Sequence, residues 1–178
     1  VPNGIDEGFF SADPEAFRAE RGLGGPYALT VGEIGPYKNQ LSAARALKDV
    51  MPLVMLGPCP ARNKPYLESV IEASGDTAVF AGTMDNRDPL FASAYAGASV
   101  FVLPSRTEVQ PISVLESLAS GTPVVLTRNK SLDLELPETC CRQVTPDDVA
   151  GIRAAAQGLA NGRSAASADC QAAVEHLR

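Results

Sequence analysis

Short apolar runs and helix-period segments alternate along this chain from residue 27 onward. Residues 27–32 (YALTVG), 52–57 (PLVMLG), 77–82 (TAVFAG), 99–103 (SVFVL) and 122–127 (TPVVLT) each read as a strand, and a weaker strand falls near 140–144. Between them the pattern predicts helices over 38–50, where Leu41, Ala44 and Leu47 share a face, and over 63–73, stopped by Ser74-Gly75. Further helices are expected over 89–97 and 111–120, with Ala-rich helices through 145–178. Thr145 reads as an N-cap there, with Pro146 at the first helical position. Several strands are almost wholly apolar rather than alternating, which belongs to a parallel sheet covered by helices on both faces. Repeated strand–helix units give a doubly wound α/β domain with right-handed crossovers. Ligands of such sheets bind beyond the carboxyl ends of the strands, so the informative loops are 32–38, 57–64, 82–88 and 104–110.

Composition narrows the choice of function. Apolar residues make up 45% and charged residues 20%, enough to bury a core, and 178 residues suit a single domain. A net charge of −6 argues against a nucleic-acid surface but not against a small anionic ligand held by local cations and helix amides. Val1-Pro2-Asn3-Gly4-Ile5-Asp6 resembles neither a signal peptide nor a natural start, so either processing or excision from a longer chain is expected. Cys59, Cys140, Cys141 and Cys170 form no C-x-x-C pair, and His176 is the one histidine, so reduced thiols in the cytoplasm are expected rather than zinc.

The densest stretch is 104–125, PSRTEVQPISVLESLASGTPVV. Pro111 falls where a helix should start, leaving the amides of Ile112, Ser113 and Val114 facing the strand ends as a seat for a diphosphate. Glu116, further into that helix, and Glu108, in the loop, are placed to accept hydrogen bonds from vicinal hydroxyls. Spacing leaves two bland readings open: Ser113-x-x-Glu116 also fits a capping box, and a loop glutamate is usually solvated.

Glu108-x7-Glu116 followed by Ala119-x-Gly121-x-Pro123-Val124-Val125 resembles the signature of retaining group 1 glycosyltransferases of the GT-B fold. Val1 to Asp6 resembles the segment where those enzymes cross into their C-terminal domain. Residues 32–39 (GEIGPYKN) resemble the first βα loop, Gly82 the glycine after the strand beside the nucleobase, and 101–105 (FVLPS) the strand that delivers the first glutamate. The likeness spans residues 1–127 in matching order.

It implies a Rossmann-like domain, one half of a GT-B fold, that binds a nucleotide-diphosphate sugar without a metal or other cofactor. Residues 1–178 would form that one domain, with 1–25 as crossover and lead-in and the N-terminal acceptor domain absent. By the same resemblance Lys38 neutralises the diphosphate and supports the leaving group, Glu108 contacts the transferred sugar and Glu116 binds the ribose. Gly32, Gly82, Met84, Gln110, Pro111, Ile112 and Ser113 complete the nucleotide site. The partner is the missing domain of the same enzyme. Any peripheral membrane association is expected to run through that domain, and the exposed interdomain surface leaves room for an oligomer.

Three departures from the family pattern stand out. Glu33 replaces a frequent arginine beside the diphosphate and must point away or pair with a cation, with Arg106 a stand-in or a solvent-facing loop residue. Pro111 removes one amide from the cradle. The histidine that relatives bring from their N-terminal domain is missing. The isolated domain is therefore expected to bind a nucleotide weakly and to transfer nothing. The alternatives are a degenerate GT-B domain kept as a binding module, or a related sugar-nucleotide epimerase. A Rossmann dehydrogenase is disfavoured, since no G-x-G-x-x-G opens the first βα turn.

Overall fold

The computed structural model describes residues 4–75, 77–106, 108, 111–128 and 136–178. Strands β1 (Ala28–Val31), β2 (Leu53–Leu56), β3 (Val79–Gly82), β4 (Val100–Leu103), β5 (Val124–Thr127) and β6 (Cys141–Val144) form one sheet. Its order is β3-β2-β1-β4-β5-β6, and every neighbouring pair is parallel. The doubly wound α/β class read from the sequence is the class observed.

Among the described residues six helices cover the sheet: α1 (Pro14–Arg21), α2 (Gln40–Leu47), α3 (Lys64–Ser74), α4 (Pro89–Gly97), α5 (Ile112–Ala119) and α6 (Val149–Val174). The apolar strands divide their side chains between two cores because successive residues point to opposite faces. Leu29, Val54, Phe101, Leu103 and Val124 pack with Phe17, Tyr95 and Leu118 of α1, α4 and α5. Ala28, Leu53, Met55, Val100, Val102 and Val125 pack with Ala43, Leu47 and Val70 of α2 and α3. Helix α6 serves both, placing Ile152, Ala156 and Leu159 in the second core and Ala166, Cys170 and Val174 in the first.

Boundaries differ from the sequence reading where a cap or turn decides them. Helix α1 lies inside the segment read as lead-in; Asp13 caps it by accepting from the Glu15 amide and Gly22 ends it with φ 63°. Its aromatic residue Phe17 is wholly buried. Helix α2 starts at Gln40 rather than 38, because Asn39 takes φ 57° and interrupts the turn. The 145–178 region is one long helix and a short 3-10 turn, not several helices. It starts at Val149, with Asp148 accepting from the Gly151 amide, and Thr145-Pro146-Asp147 form the preceding turn. Ala150, Ala154, Ala165, Ala168 and Ala172 are exposed along this helix.

Gly158 and Gly162 are exposed in the middle of α6, and a methyl group at either meets nothing within 4 Å. Each glycine adds backbone entropy to the unfolded chain that alanine would not. Gly158→Ala and Gly162→Ala are each expected to stabilise the domain by about 0.5–1 kcal/mol. Urea unfolding would register this as a higher midpoint at unchanged slope.

Candidate functional site at the switch point

The strand order reverses direction between β1 and β4, and the loops that follow these two strands meet at the carboxyl edge of the sheet. Lys38 comes from the loop after β1, and Glu108 from the loop after β4. Their side chains meet at 2.7 Å, Nζ to Oε1, and are 24% and 15% exposed. Lys38 also lies against the backbone of Gly32: its Cε is 3.3 Å from where a β-carbon on Gly32 would stand, so the glycine leaves room for the lysine stem.

Asn39 fixes this meeting. It is 3% exposed, and its Nδ2 donates to the Pro104 carbonyl at 3.1 Å and the Pro146 carbonyl at 2.7 Å. Its Oδ1 accepts from Ser42 Oγ at 3.0 Å. One side chain thus ties the loop after β1 to those after β4 and β6. The Arg106 amide adds a second link, donating to the Tyr37 carbonyl at 3.0 Å. Sequence reasoning gave Asn39 no role, because its partners lie 65 and 107 residues away. Ser105, wholly buried at the end of β4, has a hydroxyl without a hydrogen-bond partner among the described residues.

The start of α5 departs from expectation. Pro111 is the N-cap, with φ −75° and ψ 98°, rather than the first helical residue. Its carbonyl accepts from the Val114 amide at 2.9 Å, so that amide is withdrawn from the predicted cradle. Ile112 is exposed and Ser113 half-buried at the helix start; Gln110 lies outside the described residues. The capping box does not form: no side chain caps α5, and the Glu116 carboxylate turns to Tyr95 of α4, whose hydroxyl donates to Oε2 at 2.7 Å.

Burial pushes the Glu116 carboxyl above its ordinary range, and the Tyr95 hydrogen bond pulls it back down. Tyr95, wholly buried, is held well above the usual tyrosine range by desolvation and then by the Glu116 charge. A carboxyl raised on folding favours the protonated state, so its ionisation weakens the fold as pH rises through the folded value. Glu116→Gln is therefore expected to stabilise the domain at neutral pH and to lose that advantage below the unfolded carboxylate range. Urea midpoints of the two proteins at pH 3.5 and pH 7 would test the sign.

Gly82 ends β3 and Met84 follows it, on the same edge of the sheet. Gly82 takes φ 75°, and its carbonyl accepts from the Gly57 amide at 2.8 Å. Met84 is half-buried against the core that contains Phe9 and Tyr95.

Glu33 pairs with Arg62 at 3.0 Å, and Asn63 Nδ2 lies 3.5 Å from the same carboxylate oxygen. Asn63 also donates to the Ile34 carbonyl at 2.7 Å. The carboxylate is thus drawn to the segment before α3, the cation pairing that a glutamate at this position requires. Arg106 donates to Asp147 through Nη1 and Nη2, at 2.9 and 3.0 Å. His176 is exposed in the terminal 3-10 turn. Among the described residues no helix is long and apolar enough to cross a membrane.

A parallel sheet of this order, with charged side chains from two loops meeting at the reversal, defines a doubly wound α/β domain with its ligand crevice at the switch point. The chain belongs to the group 1 glycosyltransferases: the profile described as "Glycosyl transferases group 1" matches residues 25–161. It is 34% identical over 117 residues to a sulfoquinovosyl transferase of Arabidopsis thaliana, covering 64% of this chain and 21% of that protein. It is 37% identical over 103 residues to a GDP-mannose-dependent alpha-mannosyltransferase of Mycolicibacterium smegmatis, covering 57% of this chain and 25% of that protein. The chain thus matches about a quarter or less of the length of these curated relatives.

Among solved structures, sucrose-phosphate synthase from Thermosynechococcus elongatus superposes with a TM-score of 0.85 at 24% identity, over 99% of this chain and 47% of that one. The C-terminal domain of a group 1 glycosyltransferase from Francisella tularensis superposes with a TM-score of 0.78 at 15% identity, over 97% of both chains. The fold is the Rossmann-like α/β fold of GT-B glycosyltransferase structures.

Proposed function

We propose that this domain binds the nucleotide-diphosphate-sugar donor of a retaining, metal-independent glycosyltransferase that moves a hexose to an acceptor hydroxyl. The observation that carries the reading is the meeting of Lys38 and Glu108 across the switch point, inside a segment that matches the family. Both lie where the donor of such a sheet would bind, and Asn39 holds the two loops at that spacing. Lys38 neutralises the diphosphate as the bond to the anomeric carbon breaks and its electron pair passes to the departing phosphate oxygen. The amides of Ile112 and Ser113 add fixed dipoles, which stabilise developing charge better than mobile water. Glu108 faces the transferred sugar, Glu116 the ribose, and Gly82 to Met84 the base through backbone atoms.

The partner that supplies acceptor binding and closure is a second domain of the same enzyme. Superposition on about half of a longer synthase, and on an excised C-terminal domain over nearly its whole length, supports that division. Four free thiols, three of them buried, favour a reducing, cytoplasmic setting.

Calorimetric titration with UDP, GDP and ADP tests the reading. One nucleotide is expected to bind, with Glu116→Ala weakening it roughly tenfold as a charge-assisted hydrogen bond to the ribose is lost. Transfer is expected only when the second domain is present. Transfer by this domain unaided would overturn the division of labour. Equal affinity in Glu116→Ala would overturn the assignment of the ribose.

A further inference from the structure

The domain has two wholly buried tyrosines with different duties. Tyr27 donates to the Ala94 main-chain carbonyl at 2.6 Å, a tie between strand and helix. Tyr95 donates to a carboxylate instead, Glu116 Oε2 at 2.7 Å. Its ring is fixed on three sides. Phe9 and Phe91 meet it edge-on at 5.5 and 5.4 Å between centroids, and Phe101 stacks on it at 5.7 Å. A ring so enclosed has one position for its hydroxyl, and the hydroxyl therefore fixes the carboxylate it reaches.

Glu116 gains from this in geometry and in charge. A glutamate on a helix has three side-chain torsions to freeze before it can serve a ligand, and one bond from a rigid donor freezes the last of them. With Oε2 held by Tyr95, Oε1 has no hydrogen bond among the described residues. Elements α4, α6, β5 and the Glu7–Ser11 turn pack on α5. Among their described residues, Tyr95 is the titratable or charged group that faces this carboxylate.

We propose that Tyr95 is a positioning residue for the donor site: its buried hydroxyl locks the Glu116 carboxylate with Oε1 presented to the nucleotide ribose. The proposal rests on the reading of Glu116 as the ribose ligand and adds a residue from another element to that site. It also accounts for Glu116 leaving the helix start uncapped. Since the hydrogen bond favours the ionised carboxylate against burial, losing it raises the pH below which binding fails.

Tyr95→Phe tests this, because it keeps the ring contacts and removes only the hydroxyl. With whichever of UDP, GDP and ADP binds, the variant should bind roughly five- to tenfold more weakly at pH 7. Its acid limit for binding should move upward. The penalty for using the 2′- or 3′-deoxy nucleotide should shrink relative to the unaltered domain, a coupling that loss of packing alone would not produce. Carbon-13 detection of the Glu116 carboxyl gives a readout without ligand, and its midpoint should rise in the variant. Unchanged affinity, acid limit and carboxyl midpoint in Tyr95→Phe, with Glu116→Ala still weakening binding, would overturn the positioning role alone. Failure of the unaltered domain to bind any of the three, or no effect of Glu116→Ala, would overturn the donor reading and this proposal with it.

Discussion

Lys38→Ala is expected to weaken nucleoside-diphosphate binding by about a hundredfold, the largest functional effect of any single change in the site. The ammonium faces the Glu108 carboxylate at 2.7 Å in a partly buried setting, where charges are screened less than on an open surface. Removing it takes away the cation that would meet the diphosphate and leaves the negative charge of Glu108 less offset where another anion must enter. Both changes act in the same direction. Glu108→Gln supplies the complementary test: it releases Lys38 and removes repulsion, so the nucleoside diphosphate should bind more tightly. Transfer by the complete enzyme should nevertheless fall, because the group facing the sugar is altered. Calorimetry on both variants, with turnover measured on the two-domain enzyme, would check the pair. If Lys38→Ala binds as the unaltered domain does, the diphosphate sits elsewhere and the switch-point assignment fails.

The largest effect on stability is expected at Gly57, immediately beyond β2. A β-carbon there would lie 2.1 Å from the Gly32 carbonyl oxygen and 2.6 Å from its carbon, both backbone atoms with little freedom to move. The residue also takes φ 140°, a conformation that side-chain-bearing residues rarely adopt. Its amide donates to the Gly82 carbonyl at 2.8 Å, so shifting it would disturb the ends of β1, β2 and β3 together. Gly57→Ala should cost about 4 kcal/mol or more, enough to unfold a marginal domain. Gly82→Ala is the matched control: φ is 75°, but a β-carbon meets nothing within 4 Å. Only the backbone penalty of roughly 1–2 kcal/mol remains there. Urea unfolding of both variants would separate the two terms. A Gly57→Ala midpoint no lower than that of Gly82→Ala would show that the loop yields.

The proportion of the site legible in sequence followed from how local each signal is. The loop after β4 and the segment after Glu108 could be read because strand end, proline and paired glutamates lie within a few residues of each other. What Glu33 would do was legible as a requirement, since a carboxylate near a diphosphate needs a cation, but its partner Arg62 was not, lying 29 positions on. The role of Pro111 was misjudged by one residue. Its ring suits either the first helical position or the cap; here it is the cap, with the Val114 amide bonded to the Pro111 carbonyl. Helix α1 was passed over although Asp13-Pro14 and Gly22 bracket it, because a single buried aromatic makes a weak periodic signal.

By itself the sequence determined the layered architecture. Runs such as VFVL and PVVL suit strands buried on both faces of a covered parallel sheet, and the alternation with amphipathic segments supplies the covers. It also determined which loops carry chemistry, because those loops follow from strand direction. Only the tertiary structure decided what meets what. Lys38 and Glu108 stand 70 residues apart in the chain and 2.7 Å apart in space. Asn39 joins three loops, and Tyr95 turns Glu116 away from the cap that local spacing offered it. These are choices among partners from different βα units, and hydrogen bonds and burial made them as the sheet closed, not the propensity of any single segment.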